Sequence, residues 1–148
     1  MARKDIILKK AGQADHPTIM ALWRRSVEAT HSFLTKDDLD DIEREIPGLL
    51  AKLELWTAVK EKNVIGFMGL DNHNVEALFV DPDHFGQGAG SELLGLARKI
   101  YGSLQLDVNE QNPKALEFYL HCGFEVVGRS PADKQGRRFP LIHLKLES

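Results

Sequence analysis

The strongest chemical signal in the chain is Gly86-Gln87-Gly88-Ala89-Gly90-Ser91, set between an apolar run and a helix-like one. Three glycines at alternate positions let the backbone take positive φ and keep side chains away, so amide N–H groups can approach a ligand closely. A following helix N-terminus adds unpaired N–H donors and a partial positive charge. Such a turn suits phosphate or pyrophosphate. The loop alone is equally consistent with a plain turn before a helix. A P-loop would need a lysine between the last glycine and the serine, and Gly90-Ser91 has none. A dinucleotide fingerprint would need glycine where Ser91 stands, yet Asp107 falls about 20 residues beyond the loop, where a ribose-binding acid would sit. Dinucleotide binding therefore stays open as an alternative.

Other reactive residue types give weaker signals. Cys122 is the only cysteine, so an internal disulfide and a multi-cysteine zinc site are excluded. Its place on an apolar helical face predicts a buried, inert thiol rather than a nucleophile. The six histidines show neither H-x-x-x-H nor Cys/His pairing, so no metal is expected. Arg129, Lys134, Arg137 and Arg138 make a late loop basic, which reads as a solvated surface or as a contact for phosphate or an acidic acceptor.

The elements that must position these groups follow from periodicity. Residues 6–10 form a β-like run. Asp15 caps a helix with Pro17 in its first turn and an apolar stripe at Ile19, Leu22, Trp23 and Val27. Thr35 caps a second helix, which Pro47 is expected to break. Residues 55–60, 64–70 and 75–80 read as three strands of an antiparallel meander, with polar turns between them. A helix over 91–101, a strand over 104–108 and a helix from Asn112-Pro113 to a Gly123 cap follow. Strands over 124–127 and 139–146 flank the polar loop 130–137. The order β-α-α-β-β-β-α-β-α-β-β predicts an α/β (α+β) fold, a mixed, mostly antiparallel sheet with helices on its faces.

Length and charge bound the rest. At 148 residues, one domain spanning 1–148 is expected. Composition of 43% hydrophobic and 28% charged residues is ordinary globular usage, which excludes a disordered chain and a coiled coil. A net charge of −3 argues against nucleic acid as a partner. The basic start, residues 1–4, is followed by too short an apolar stretch for a secretory signal, and no run has the length of a membrane span. The expectation is a cytoplasmic protein with no membrane partner.

Two signatures in order resemble the GCN5-related N-acetyltransferase superfamily. Leu78-Phe79-Val80-Asp81-Pro82 leads into Phe85-Gly86-Gln87-Gly88-Ala89-Gly90, similar to the family's pyrophosphate motif. Phe85 stands where the family prefers Arg or Gln, which removes a side-chain contribution and leaves the backbone cradle. Asn109-x-x-Asn112-x-x-Ala115-x-x-Phe118-Tyr119-x-x-x-Gly123-Phe124 is the second signature. The segment from Arg25 to Leu34 and Asn109-Glu110-Gln111-Asn112 look like the small bacterial acetyltransferases of the YjaB type.

The resemblance implies acetyl-CoA as cofactor and an N-acetyltransferase working by direct attack in a ternary complex. Leu78, Phe79 and Val80 would pair with the pantetheine arm like an added strand. Gly86 to Ser91 would hold the pyrophosphate, and Asn109, Asn112, Ala115 and Phe118 would lie along the cofactor. The strands 75–80 and 104–108 would splay apart and leave a slot for the thioester. Acetyl transfer needs a deprotonated amine, a donor for the oxyanion and a proton for the departing thiolate. Tyr119 is the candidate acid, since a phenol stays protonated at neutral pH. Glu76 is the candidate base and His31 the second. Trp23, Ser26, His31 and Phe33 would shape the acceptor pocket. The acceptor would be a small-molecule or peptide amine, and monomer and homodimer both remain open. A cofactor sensor without turnover is the alternative within the same resemblance.

Overall fold

The computed structural model describes residues 5–134 and 136–147; the basic start, residues 1–4, lies outside them. Seven strands form one sheet: β1 (Ile6–Lys10), β2 (Glu54–Lys60), β3 (Asn63–Asp71), β4 (Asn74–Val80), β5 (Leu104–Asn109), β6 (Glu125–Ser130) and β7 (Leu141–Leu146). Four helices accompany them: α1 (His16–Thr30), α2 (Lys36–Leu50), α3 (Ala89–Tyr101) and α4 (Pro113–His121). The strand order is β1-β2-β3-β4-β5-β7-β6, and every pairing is antiparallel except β4 with β5. The sequence order of elements is the expected one.

Local chemistry explains most of the boundaries. Thr35 and Asp38 form a reciprocal capping box at the start of α2. Glu61 and Lys62 both have positive φ (50° and 68°), the backbone of a tight two-residue hairpin between β2 and β3. Asp15 sits at the α1 cap position, but its carboxylate reaches back to the Gly12 N–H at 2.8 Å. Three boundaries differ from expectation. Helix α2 continues through Pro47, because the ring costs one N–H near the C-terminal end while Leu50, 2% exposed, is drawn into the core beyond it. Helix α3 begins at Ala89, so Ala89 and Gly90 belong to its first turn and are buried there. Strand β6 starts at Glu125 and runs to Ser130, while β7 starts at Leu141, leaving a connection over 131–140.

The sheet is packed on both faces. Ile19, Leu22, Trp23 and Val27 of α1 and Leu39, Ile46 and Leu50 of α2 meet Leu55, Phe67 and Ala77 on one face. Leu93, Leu94 and Ala97 of α3 meet Ile65, Met68, Leu70, Leu104, Leu106 and Leu144 on the other. Strand β3 is buried on both sides, so it reads as an unbroken apolar run.

Two features of β4 open the site. Leu70 pairs with Val75 and Gly69 with Ala77, so Glu76 is the extra residue of a β-bulge. Strand β4 then pairs with β5 only at Asn74 and Gln105. The Gln105 N–H donates to the His73 carbonyl at 2.9 Å and pins this junction. Past it, the two strands separate toward their C-terminal ends.

Candidate active site

A cavity of about 950 Å³ fills the separation between β4 and β5. Leu78, Phe79 and Val80 form one wall. Gly86, Gly88, Ala89, Gly90 and Ser91 line it from the turn and first helical turn above. Asn109, Asn112, Ala115, Phe118 and Tyr119 close it from β5 and α4, and Phe85 stands at its lip, 47% exposed. Sequence reasoning thus named much of its lining.

The glycine turn has the backbone geometry that an anion cradle requires. Gly86 and Gly88 take φ of +76° and +93°, which a side-chain-bearing residue adopts only with strain. Gly88 is also the N-cap of α3, so the first amides of that helix open toward the cavity. Gly90 has a different reason: a Cβ there would stand 3.1 Å from Phe118 Cζ. Gln87 is not in the lining; its amide oxygen accepts from Lys60 Nζ at 2.9 Å.

The cavity wall suits an elongated amide-bearing cofactor on two observations. Past Asn74, the edge of β4 facing β5 has no strand partner among the described residues, which leaves backbone groups for an added extended chain. Asn109 Oδ1 is a buried acceptor with no hydrogen-bond partner among the described residues, where an amide N–H would satisfy it. Asn112 has less to offer, because its side chain caps α4 by accepting from the Ala115 N–H at 3.3 Å. The residues present fit coenzyme A.

Tyr119 lies between Phe118 and Phe124, with ring centroids 5.3 and 5.6 Å away. Burial, and then the neighbouring Cys122, pushes its phenol above the ordinary value, so it is a proton donor throughout the neutral range. Cys122 is half-buried; burial raises its thiol and a hydrogen bond with Ser91 offsets part of that. A thiol shifted this way is a poor nucleophile.

The acceptor-side residues divide. Ser26 and His31 line the cavity. Thr30 gives its hydroxyl proton to the Ser26 carbonyl at 2.8 Å and meets His31 Nδ1 at 2.7 Å, so Nδ1 carries the ring proton and Nε2 is the accepting atom. Burial lowers the His31 pKa and keeps the ring neutral. Phe33 is absent from the lining; its ring lies tilted against His31 at 5.4 Å and meets Phe139 edge-on at 5.8 Å. Trp23 is 3% exposed in the core under α1, where it cannot shape a pocket; its apolar spacing marked core.

A second cavity of about 480 Å³ adjoins the first, and Val75, Glu76, Leu106, Asp107 and Asn109 line both. Asn74 of β4, Gln105 of β5, Glu45 of α2, Asp133, Lys134 and Arg137 of the 131–140 connection and His143 of β7 complete its polar lining. Glu76 is 3.4 Å from Lys134 Nζ. Arg137 binds Glu45 at 2.7 Å and Asp133 at 3.1 Å. Of the late basic residues, Lys134 and Arg137 line this cavity, while Arg129, Lys134 and Arg138 are exposed, as expected of a solvated surface. Asp107, which a dinucleotide reading would give to a ribose, is bound to His143 at 2.6 Å. Sequence reasoning did not group Asp107 with His143, since the register of β5 on β7 carries no local signal.

Residues 51–126 match the model of the acetyltransferase (GNAT) domain. The peptidyl-lysine N-acetyltransferase YjaB of Salmonella typhimurium is 39% identical over 140 residues, 94% of this chain and 97% of that protein. The solution structure of apo YjaB from Escherichia coli superposes with a TM-score of 0.87 at 38% identity, covering 95% of this chain and 96% of that one. The PaiA N-acetyltransferase of Thermoplasma acidophilum, solved in complex with coenzyme A, shares the fold at a TM-score of 0.81 and 21% identity, over 97% and 99% of the two chains. The chain belongs to the GCN5-related N-acetyltransferase family, enzymes whose acyl donor is acetyl-CoA.

Proposed function

We propose that this enzyme transfers the acetyl group to a lysine side-chain amine of a peptide or protein, by direct attack in a ternary complex. One observation carries the reading: two cavities share a wall at the β4–β5 slot, so donor and acceptor can meet there from separate approaches. The peptidyl-lysine activity named for YjaB, 39% identical, supports the acceptor class. The second cavity carries four carboxylates, Glu45, Glu76, Asp107 and Asp133, against the cations Lys134 and Arg137, a net negative lining that attracts an ammonium.

Acetyl-CoA supplies a thioester whose carbonyl is open to attack by a neutral amine. The chain's residues do the remainder. The Gly86–Gly88 turn and the α3 amides bind the pyrophosphate, and β4 aligns the pantetheine arm. Glu76, turned out of the strand by its bulge, holds the acceptor ammonium in place of Lys134 and is one group toward which the proton can move. A backbone N–H near Phe79 or Val80 donates to the carbonyl oxygen. Tyr119 gives a proton at the sulfur that leaves. Cys122, half-buried and with its thiol raised, takes no part as a nucleophile.

Thiol release and acetyl-lysine formation with a panel of lysine peptides and small amines test the reading. Intersecting initial-rate patterns are expected; parallel lines would indicate a covalent intermediate. Thiol release with small amines and none with lysine peptides would overturn the acceptor class.

A further inference from the structure

Lys134 is the lysine of the smaller cavity's lining. Its Nζ lies 3.4 Å from Glu76 Oε2, and Glu76 belongs to the wall common to both cavities. The chain's own primary ammonium therefore stands at the junction of the donor and acceptor approaches. The backbone that carries it is held. The Asp133 N–H donates to the Arg137 carbonyl and the Gly136 N–H to the Asp133 carbonyl, both at 3.0 Å. The Arg137 N–H donates to the Asp133 carboxylate at 2.7 Å, and Arg137 ties the same segment to Glu45 of α2. The Lys134 side chain is looser: it is 65% exposed, and a pair as long as 3.4 Å at an exposed lysine is screened and gives way easily. It is thus both presented and free to move. Lys114 differs, since it lines the larger cavity from the first turn of α4, on the side that receives the cofactor.

We propose that Lys134 is a self-acetylation site: with acetyl-CoA bound and no peptide present, its amine takes the acetyl group within the same chain. The proposal rests on the reading of the smaller cavity as the acceptor side, with Glu76 holding the acceptor ammonium. In the step, the N–C bond forms at the thioester carbonyl as the C–S bond breaks. Of the two protons the ammonium gives up, one ends on the coenzyme A thiol and one in bulk water. Tethering makes the reaction first-order in the chain, which favours Lys134 over lysines that meet acetyl-CoA only by diffusion. A peptide amine and the Lys134 amine compete for one place, so a peptide should slow the modification. The product has a consequence for the site. Acetyl-lysine carries no charge, so the ion pair with Glu76 is lost and the cavity lining loses a cation. Glu76 is then left to an incoming ammonium, and the modified enzyme should bind a lysine peptide with a lower KM.

The test incubates the full chain with acetyl-CoA alone and follows each lysine by peptide mass spectrometry, in the wild type and in Lys134→Arg. Lys134 should be modified about tenfold or more faster than the exposed Lys36, Lys62 and Lys99, at a rate that saturates with acetyl-CoA. The rate constant should not depend on enzyme concentration, and Lys134→Arg should show no fast-labelled lysine. Lys134 modified no faster than Lys36, or at a rate that rises linearly with acetyl-CoA, marks uncatalysed acetylation and overturns the proposal. A rate constant that rises with enzyme concentration means transfer between copies and overturns it equally. The acceptor KM of fully acetylated enzyme is then compared with that of unmodified enzyme at saturating acetyl-CoA. A severalfold fall is expected; an unchanged KM removes Lys134 from the acceptor's place. Transfer to lysine peptides with Lys134 unmodified overturns the proposal and leaves the acceptor reading standing. Fast modification of Lys134 with no transfer to lysine peptides overturns the acceptor reading instead.

Discussion

Gly90 and Phe118 meet where the first turn of α3 faces α4, closer than ordinary side-chain contact allows: a Cβ at position 90 would stand 3.1 Å from Phe118 Cζ. Gly88, two residues earlier, has φ of +93°. The two glycines therefore fail differently when replaced. Gly90→Ala gains about 1 kcal/mol of helix propensity and spends a similar amount displacing Phe118, so thermal stability should change little. Because Phe118 lines the cofactor cavity, acetyl-CoA binding should weaken severalfold. Gly88→Ala should cost about 1–2 kcal/mol of stability from left-handed strain, and weaken binding as well. Melting temperatures with and without acetyl-CoA separate the two. Equal loss of stability in both variants would refute the distinction.

Tyr119→Phe removes a hydroxyl at the cavity wall to which no described residue hydrogen-bonds, so the fold and cofactor affinity should be kept. Turnover should fall about 10²-fold if the phenol is the acid. Burial pushes this phenol above its ordinary value, near 10, so kcat should show no alkaline fall from Tyr119 below about pH 10. Unchanged turnover in Tyr119→Phe removes the acid role.

How much of this was legible in the sequence depended on whether the cause was local. Glycine turns, the Thr35–Asp38 cap and the helical stripe of α3 are local, and they gave the element order and the cradle. The bulge at Glu76 was not legible, because it depends on how β4 registers against β3. The same holds for Asp107 and His143, 36 positions apart in sequence and adjacent in the sheet. Trp23 shows the converse. A resemblance placed it at the acceptor pocket, but its spacing with Ile19, Leu22 and Val27 is a core stripe, and tertiary packing followed the stripe.

Asp81 ties the end of β4 to α1. Its carboxylate binds Arg25, accepts from the Asp83 N–H at 3.2 Å and lies 3.4 Å from His84 Nδ1. Burial by itself would raise this carboxyl, but the Asp83 N–H, Arg25 and His84 together outweigh it and hold the pKa below the usual range. A depressed carboxyl contributes stability that is present above the unfolded pKa, about 4, and lost as pH falls through the lower folded value. Arg25 is half exposed, so the effect is screened, and Asp81→Asn should cost about 1 kcal/mol at pH 7. The two proteins' stabilities should converge below pH 3, as the wild-type carboxyl protonates. A gap in denaturant midpoints that stays constant from pH 7 to pH 2.5 would exclude Asp81 as the source.

The connection over 131–140 is held against the helical layer at two points, Arg137 with Glu45 at 2.7 Å and Phe139 with Phe33 at 5.8 Å. The first of these contacts belongs to the smaller cavity, whose lining includes Arg137 and Glu45, and the second anchors the same connection beside it. The hydrogen bond to Glu45 raises the Arg137 pKa against the opposing effect of burial, with Asp133 adding to it, so the guanidinium is charged at every working pH. Arg137→Ala should loosen the connection without touching the glycine cradle. A partly exposed ion pair contributes about 1 kcal/mol, so the acceptor KM should rise about fivefold while acetyl-CoA affinity stays constant. Phe33→Ala should act in the same direction through the other anchor, because it frees Phe139. The double variant should add little if both anchors serve one closed position of the connection, and multiply the KM effect if they act separately. Steady-state kinetics at saturating acetyl-CoA reads the difference. A loss confined to kcat in both single variants would mean that the connection serves chemistry rather than acceptor binding.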